Sequence, residues 1–163
     1  MQLQVGLIFT PGPVGRVAHL LGLRFSHAFI RYEAPEGWRV IDAGFTGIGD
    51  RPGTGLEKAT DYRIMETRDP LDEPTKQRIL DYAQGNVGKP YHYIWLLKLA
   101  WRLVRQRVGI RMLAYPSHVC TSLIVDCFHH AGIDLVPSEE ILVTPDEIAA
   151  SDKLIDVPAL AEG

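Results

Sequence analysis

The chain has 163 residues and a mass of 18.2 kDa, with 46% apolar residues, 23% charged residues and a formal net charge of −3. This composition excludes a disordered chain, which would have fewer apolar residues and more net charge. The charge balance provides no general basic field for nucleic acid, and no stretch reaches the ~20 consecutive apolar residues of a membrane span. We therefore predict a single domain over residues 1–163 that binds no nucleic acid.

The N-terminal segment does not have the pattern of a secretory signal. Residues 1–10 lack a basic start, a long apolar run and a small-residue cleavage site. They are typical of a first strand that is stopped by Pro11, Gly12 and Pro13. The expected location is the cytoplasm, or outside the cell by a route that needs no signal peptide.

Periodicity and breaker residues predict the remaining elements in chain order. After a weak helix or loop over residues 14–22, strands are predicted at Phe25–Tyr32, Trp38–Ala43, Tyr62–Glu66 and Leu154–Val157. Helices are predicted at Asp72–Gly85, Tyr93 to about Val108, Ser117–Ala131 and Pro145–Ser151. Gly44–Gly55 contains five glycines and one proline, which favours a mobile loop. Strands and helices are partly segregated, so the predicted class is α+β, with an antiparallel sheet packed against helices.

The two cysteines are too few for a disulfide framework but sufficient for one nucleophile. If Ser117 caps its helix, Cys120 lies in the first turn, where free backbone N–H groups and the helix dipole stabilise a thiolate. The alternative is that Cys120 is a small buried hydrophobic residue, as we expect for Cys127 two turns further on.

A cysteine nucleophile needs a histidine base and a group that orients the base. In an antiparallel hairpin with a turn near Pro35, His27 and Asp42 become cross-strand neighbours, and the carboxylate can fix the imidazole tautomer. His129 and His130 lie ~15 Å from the start of the Cys120 helix, too far to act on that cysteine. The alternative is an ordinary strand histidine beside a solvated aspartate.

One further feature suggests binding. Lys98, Arg102 and Arg105 share one face of the apolar helix predicted from Tyr93. This face is either the solvated side of a core helix, a site for an anionic membrane, or a site for a protein partner or anionic polymer. No paired zinc-ligand spacing is present, so we predict no metal and no cofactor.

Four motifs together resemble the NlpC/P60 superfamily of papain-like cysteine hydrolases. They are Ser26–Tyr32, Val40–Ala43, Gly88–Tyr93 and Val119–Val125. Their order, with histidine before cysteine, is similar to the circularly permuted branch, which includes lecithin retinol acyltransferase-like enzymes. The resemblance implies a permuted papain-like fold with Cys120 as nucleophile, His27 as base and Asp42 as the third polar residue, with Glu33 as the alternative third residue. Candidates for the oxyanion hole and substrate contacts are Tyr115, His118, Tyr91, His92 and Ser26.

The function expected from this resemblance is a bacterial or phage thiol peptidase or amidase. It would cleave an amide bond through a thioester acyl-enzyme, with a peptide or other acyl compound as substrate and cell-wall peptides as the suggested source. The alternatives are a lipid-directed thiol acyltransferase or esterase, and a binding module that has the fold without the activity.

Overall fold

The computed structural model describes residues 1–44, 46–90, 120–137 and 143–158. Within these ranges six strands form one antiparallel sheet in the order β4-β3-β2-β1-β5-β6. The strands are β1 (Leu3–Phe9), β2 (His27–Ala34), β3 (Gly37–Gly44), β4 (Gly47–Pro52), β5 (Asp61–Thr67) and β6 (Leu154–Val157). The described helices are α1 (Pro13–Leu20), α2 (Glu73–Gly85), α3 (Cys120–His130) and α4 (Pro145–Ala149). The predicted α+β class is confirmed.

The main core lies between one face of the sheet and the helices. Alternate residues of β1, Leu3, Val5 and Leu7, are buried there together with Ile79 of α2 and Leu123 of α3. Helix α3 packs against α2 and against β2 and β3. This packing places the N-terminal part of α3 close to the strands that carry His27 and Asp42.

Side chains cap two of the helices, as their sequences predict. The Asp72 carboxylate accepts a hydrogen bond from the Thr75 backbone N–H (3.0 Å), and Thr144 and Glu147 form a capping box before α4. The helix predicted at Tyr93 to about Val108 and the Ser117 cap lie outside the described residues. In the described parts of the chain, no helix has the length and apolar character needed to cross a membrane.

The segment predicted as a mobile loop contains strand β4, so that prediction is wrong. Asp42 pairs with Gly49 and Ala43 with Ile48. On the outer side of this edge strand, the backbone of Ile48 is hydrogen-bonded to Gly88 and Lys89 (2.8 and 3.0 Å). A Cβ on Gly47 would stand 2.7 Å from the Lys89 carbonyl oxygen, and Gly47 has a φ of 117°. Glycine at this position permits a close backbone approach, which the pattern of breaker residues alone does not reveal.

A second apolar cluster lies apart from the main core and consists of Ile8, Phe29, Val40 and Ile64. The Phe29 ring fits between two glycines: a Cβ on Gly6 would lie 2.1 Å from the ring, and one on Gly55 would lie 2.5 Å from it. The segment after β4 adds Leu56 and Ala59 to this cluster.

The packing of Phe29 predicts a large cost for a methyl group at Gly6. Gly6→Ala is expected to lower the free energy of unfolding by about 1–3 kcal/mol, because the buried ring must leave its place. Gly49→Ala is the matched control, since its Cβ would meet nothing within 4 Å. Urea unfolding of both variants checks the prediction, and an equal stability for Gly6→Ala and wild type would contradict it.

Candidate active site

His27 and Asp42 meet across the β2–β3 hairpin. Ile30 pairs with Ile41, so the continued register sets Asp42 across from Phe29 and makes His27 its diagonal neighbour. Nε2 of His27 lies 2.9 Å from Oδ2 of Asp42. The carboxylate therefore occupies one ring nitrogen and leaves Nδ1 for another partner.

That partner is Cys120, the first described residue of α3. The thiol of Cys120 is a neighbour of the His27 imidazole, and each group shifts the pKa of the other; the backbone N–H groups of Ala28 and Thr121 also lower the pKa of the thiol. Three elements, β2, β3 and α3, thus bring together residues that lie more than ninety positions apart in the chain.

The pKa values of the three groups shift in the directions that favour an ion pair. Burial alone would lower the pKa of His27, but hydrogen bonds and charges from Asp42 and Cys120 raise it to about 10. Burial alone would raise the pKa of the Cys120 thiol, but His27 and the two backbone N–H groups lower it. Burial likewise opposes the ionisation of Asp42, yet His27 and Arg51 lower its pKa. The resting state favoured by these shifts is a thiolate beside an imidazolium.

The three side chains of the site are partly exposed. The His27 and Asp42 side chains are 22% and 13% exposed, and Cys120 is partly buried. Cys127 differs from Cys120 in both burial and pKa. It is fully buried in the main core, and burial raises its pKa to about 12. The two cysteines of the chain therefore have opposite environments.

Arg51 also contacts this site, although it was not among the residues predicted from the sequence. Its Nη2 donates to Oδ2 of Asp42 at 3.2 Å. Arg51 was overlooked because its strand was predicted to be a loop. The available signal was the alternation of residue types from Gly47 to Arg51, which is typical of a strand. In that strand Arg51 lies two residues beyond Gly49, the partner of Asp42.

The remaining candidates divide into two groups. The Ser26 hydroxyl accepts from the Thr10 backbone N–H at 3.0 Å, which ties it to the end of β1, and Glu33 is exposed at the opposite end of β2 from His27. The other residues predicted to bind substrate, oxyanion or membrane lie outside the described residues: Tyr91, His92, Tyr115, His118, Lys98, Arg102 and Arg105.

Within residues 1–44, 46–90, 120–137 and 143–158, no three His, Cys, Asp or Glu side chains are grouped so that they could hold a metal ion. Nε2 of His27 and Oδ2 of Asp42 are occupied by each other, and Arg51 brings a positive charge to the same oxygen. The described side chains at this site do not fit a metal centre.

The fold is similar to that of a solved protein, the metalloprotein YiiX from Escherichia coli O157:H7, which is described as DUF1105. The two share 15% sequence identity with a TM-score of 0.62, over 95% of this chain and 94% of that one. No family model matches the chain. No curated protein matches it either.

This likeness corrects the family suggested by the sequence motifs. DUF1105 is a different family from NlpC/P60, so membership of the NlpC/P60 superfamily is wrong, and the likeness supports the α+β class without the permuted papain-like fold. The motifs misled because each is short and satisfies a local requirement. An apolar strand that begins with a polar residue, or a helix with a cysteine against a sheet, recurs in unrelated α+β folds.

Proposed function

We propose that the chain is a thiol hydrolase that cleaves an amide or ester bond, with Cys120 as nucleophile, His27 as acid and base, and Asp42 as the group that orients His27. The observation that carries the proposal is that His27 is hydrogen-bonded to Asp42 and neighbours Cys120, in a partly exposed position. Nucleophile, base and orienting group in hydrogen-bond contact are the arrangement that this chemistry requires.

The reaction has two halves. In the first, the Cys120 thiolate attacks the carbonyl carbon, a C–S bond forms, and the His27 imidazolium gives its proton to the departing amine or alcohol as that bond breaks. In the second, His27 takes a proton from water while the water oxygen attacks the thioester. The C–S bond breaks, the acid is released, and the thiolate and imidazolium are restored.

The substrate class is an acyl compound with an amide or ester bond. Bacterial cell-wall peptides, which the family resemblance suggested, have no independent support in the described residues. A lipid substrate depends on the basic face predicted for Lys98, Arg102 and Arg105, which lie outside those residues.

The structural neighbour is described as a metalloprotein. The described residues of this chain do not gather a ligand set for a metal, whereas they do gather a thiol, an imidazole and a carboxylate. The proposed reaction therefore uses the thiol, and it is expected to be unchanged after dialysis against EDTA.

A chromogenic ester tests the proposal. We expect p-nitrophenyl acetate to give a burst of nitrophenol and an acetyl group on Cys120, which intact-protein and peptide mass spectrometry locates. In Cys120→Ser the rate of the burst is expected to fall by at least ~100-fold, because a serine hydroxyl at this position has no comparable anionic form. Cys127→Ser is the matched control and should retain it.

Two results would count against the proposal. One is acetylation of Cys127 at the same rate as Cys120. The other is a wild-type protein without a burst that nevertheless binds acyl compounds, which would favour the binding module.

A further inference from the structure

Oδ2 of Asp42 has two cationic partners instead of one. His27 Nε2 lies 2.9 Å from it, and Arg51 Nη2 donates to the same oxygen at 3.2 Å. Arg51 stands on the edge strand β4 and is half exposed, whereas Asp42 is largely buried. The guanidinium thus reaches inward from the sheet edge to the one oxygen that orients His27.

The charges around this pair come from several elements. Asp42 belongs to β3, His27 to β2, Cys120 to α3 and Arg51 to β4. Glu57, in the segment after β4, accepts from the Thr54 backbone N–H at 2.9 Å and also interacts with the charge of Arg51. Arg51 therefore interacts with two carboxylates, and its hydrogen bond is directed to Asp42.

The two halves of the proposed reaction make opposite demands on His27. In the first half a protonated imidazole beside the thiolate is an advantage, and the Asp42 charge favours it. In the second half the sulfur is a neutral thioester, and His27 must accept a proton from water. If Asp42 were paired with His27 alone, its full negative charge would keep the proton on His27 and slow this step.

We infer that Arg51 is a positioning residue of the proposed reaction: it fixes Oδ2 of Asp42 and neutralises part of its charge, so that His27 can take a proton from water in the second half. This inference rests on the proposed function. The water proton moves to His27, the oxygen forms the new C–O bond, and the C–S electron pair returns to Cys120.

Single-turnover kinetics of the Cys120 acyl-enzyme across a pH series test the role of Arg51. Arg51→Gln removes the positive charge and keeps a donor. Loss of that charge favours imidazolium, so the low-pH limb of deacylation should move up by ~0.5–1 pH unit, and deacylation at pH 7 should slow about 3- to 10-fold. Acylation should change less than twofold. A higher pH should restore deacylation, and Arg51→Lys, which keeps the charge, should remain close to wild type.

Arg63→Gln is the matched control. Arg63 on β5 pairs with Asp156 on β6 at 2.6 Å, at the opposite edge of the sheet from β4. It should leave the pH limb in place. An unchanged limb in Arg51→Gln, or a slower rate at every pH without a shift, overturns the inference while wild-type acylation upholds the proposed function. A wild-type protein that forms no acyl-enzyme overturns both.

Discussion

Iodoacetamide is expected to alkylate Cys120 about a thousandfold or more faster than Cys127 at pH 6, since only the thiolate reacts. An ordinary cysteine with a pKa of about 8.5 is less than ~1% thiolate at this pH. The ion pair with His27 lowers the pKa of Cys120, whereas burial raises that of Cys127 to about 12. The lower intrinsic nucleophilicity of a low-pKa thiolate offsets only part of this advantage.

Peptide mapping of protein quenched at successive times measures both rates in one sample. Because the pKa of Cys120 is lowered, its rate should fall by clearly less between pH 8 and pH 6 than the ~100-fold that an unperturbed thiol would lose over this interval. A hundredfold loss for Cys120 would show that the thiol has no ion-pair partner. Equal labelling of both cysteines would remove the basis for choosing Cys120 as nucleophile.

His27→Gln is expected to abolish this reactivity in the acid range. Without the imidazolium, the backbone N–H groups of Ala28 and Thr121 are the remaining described groups that lower the pKa of Cys120, and burial raises it. The pKa of Cys120 should then rise, and alkylation at pH 6 should slow by at least ~100-fold. The burst with p-nitrophenyl acetate should disappear with it, because general acid–base catalysis is lost as well.

A second histidine provides the control for this variant. His129 forms a 2.6 Å hydrogen bond with Asp134 on an exposed surface, so His129→Gln removes the same type of contact away from Cys120. It should leave the alkylation rate unchanged.

Asp42→Asn should give an intermediate loss of the alkylation rate, since a neutral amide can still hold Nε2 of His27 but provides no charge. A His27→Gln protein that is folded, by circular dichroism, and alkylates at the wild-type rate would exclude His27 as the partner of Cys120.

Local pattern predicted much of the fold and the central contact of the site. Hairpin geometry alone brought His27 and Asp42 together, because a turn near Pro35 leaves few possible registers. The same reasoning could not distinguish directly opposite from diagonal neighbours, since that depends on a shift of one or two residues along β3. The capped helix after Asp72 was predictable because its signals lie within its own first turn.

Features that depend on distant contacts were not predictable in this way. Strand β4 was assigned to a loop because its glycines indicate mobility, whereas they permit the approach of Lys89 and pairing with β3. Arg51 was not predicted as a site residue because it lies on that strand. The family was misjudged for a related reason: short motifs describe local requirements, and the path of the chain between them determines the fold.

The distance in sequence between His27 and Cys120 has a consequence for synthesis in the cell. The ribosome delivers the β2–β3 hairpin, with its histidine and aspartate, many seconds before the cysteine leaves the exit tunnel, at about 5–20 residues per second. Until α3 docks on the sheet, the thiol has no imidazolium beside it and is an ordinary cysteine. The proposed nucleophile therefore acquires its lowered pKa only after both strands of the hairpin have been synthesised and α3 has packed against them.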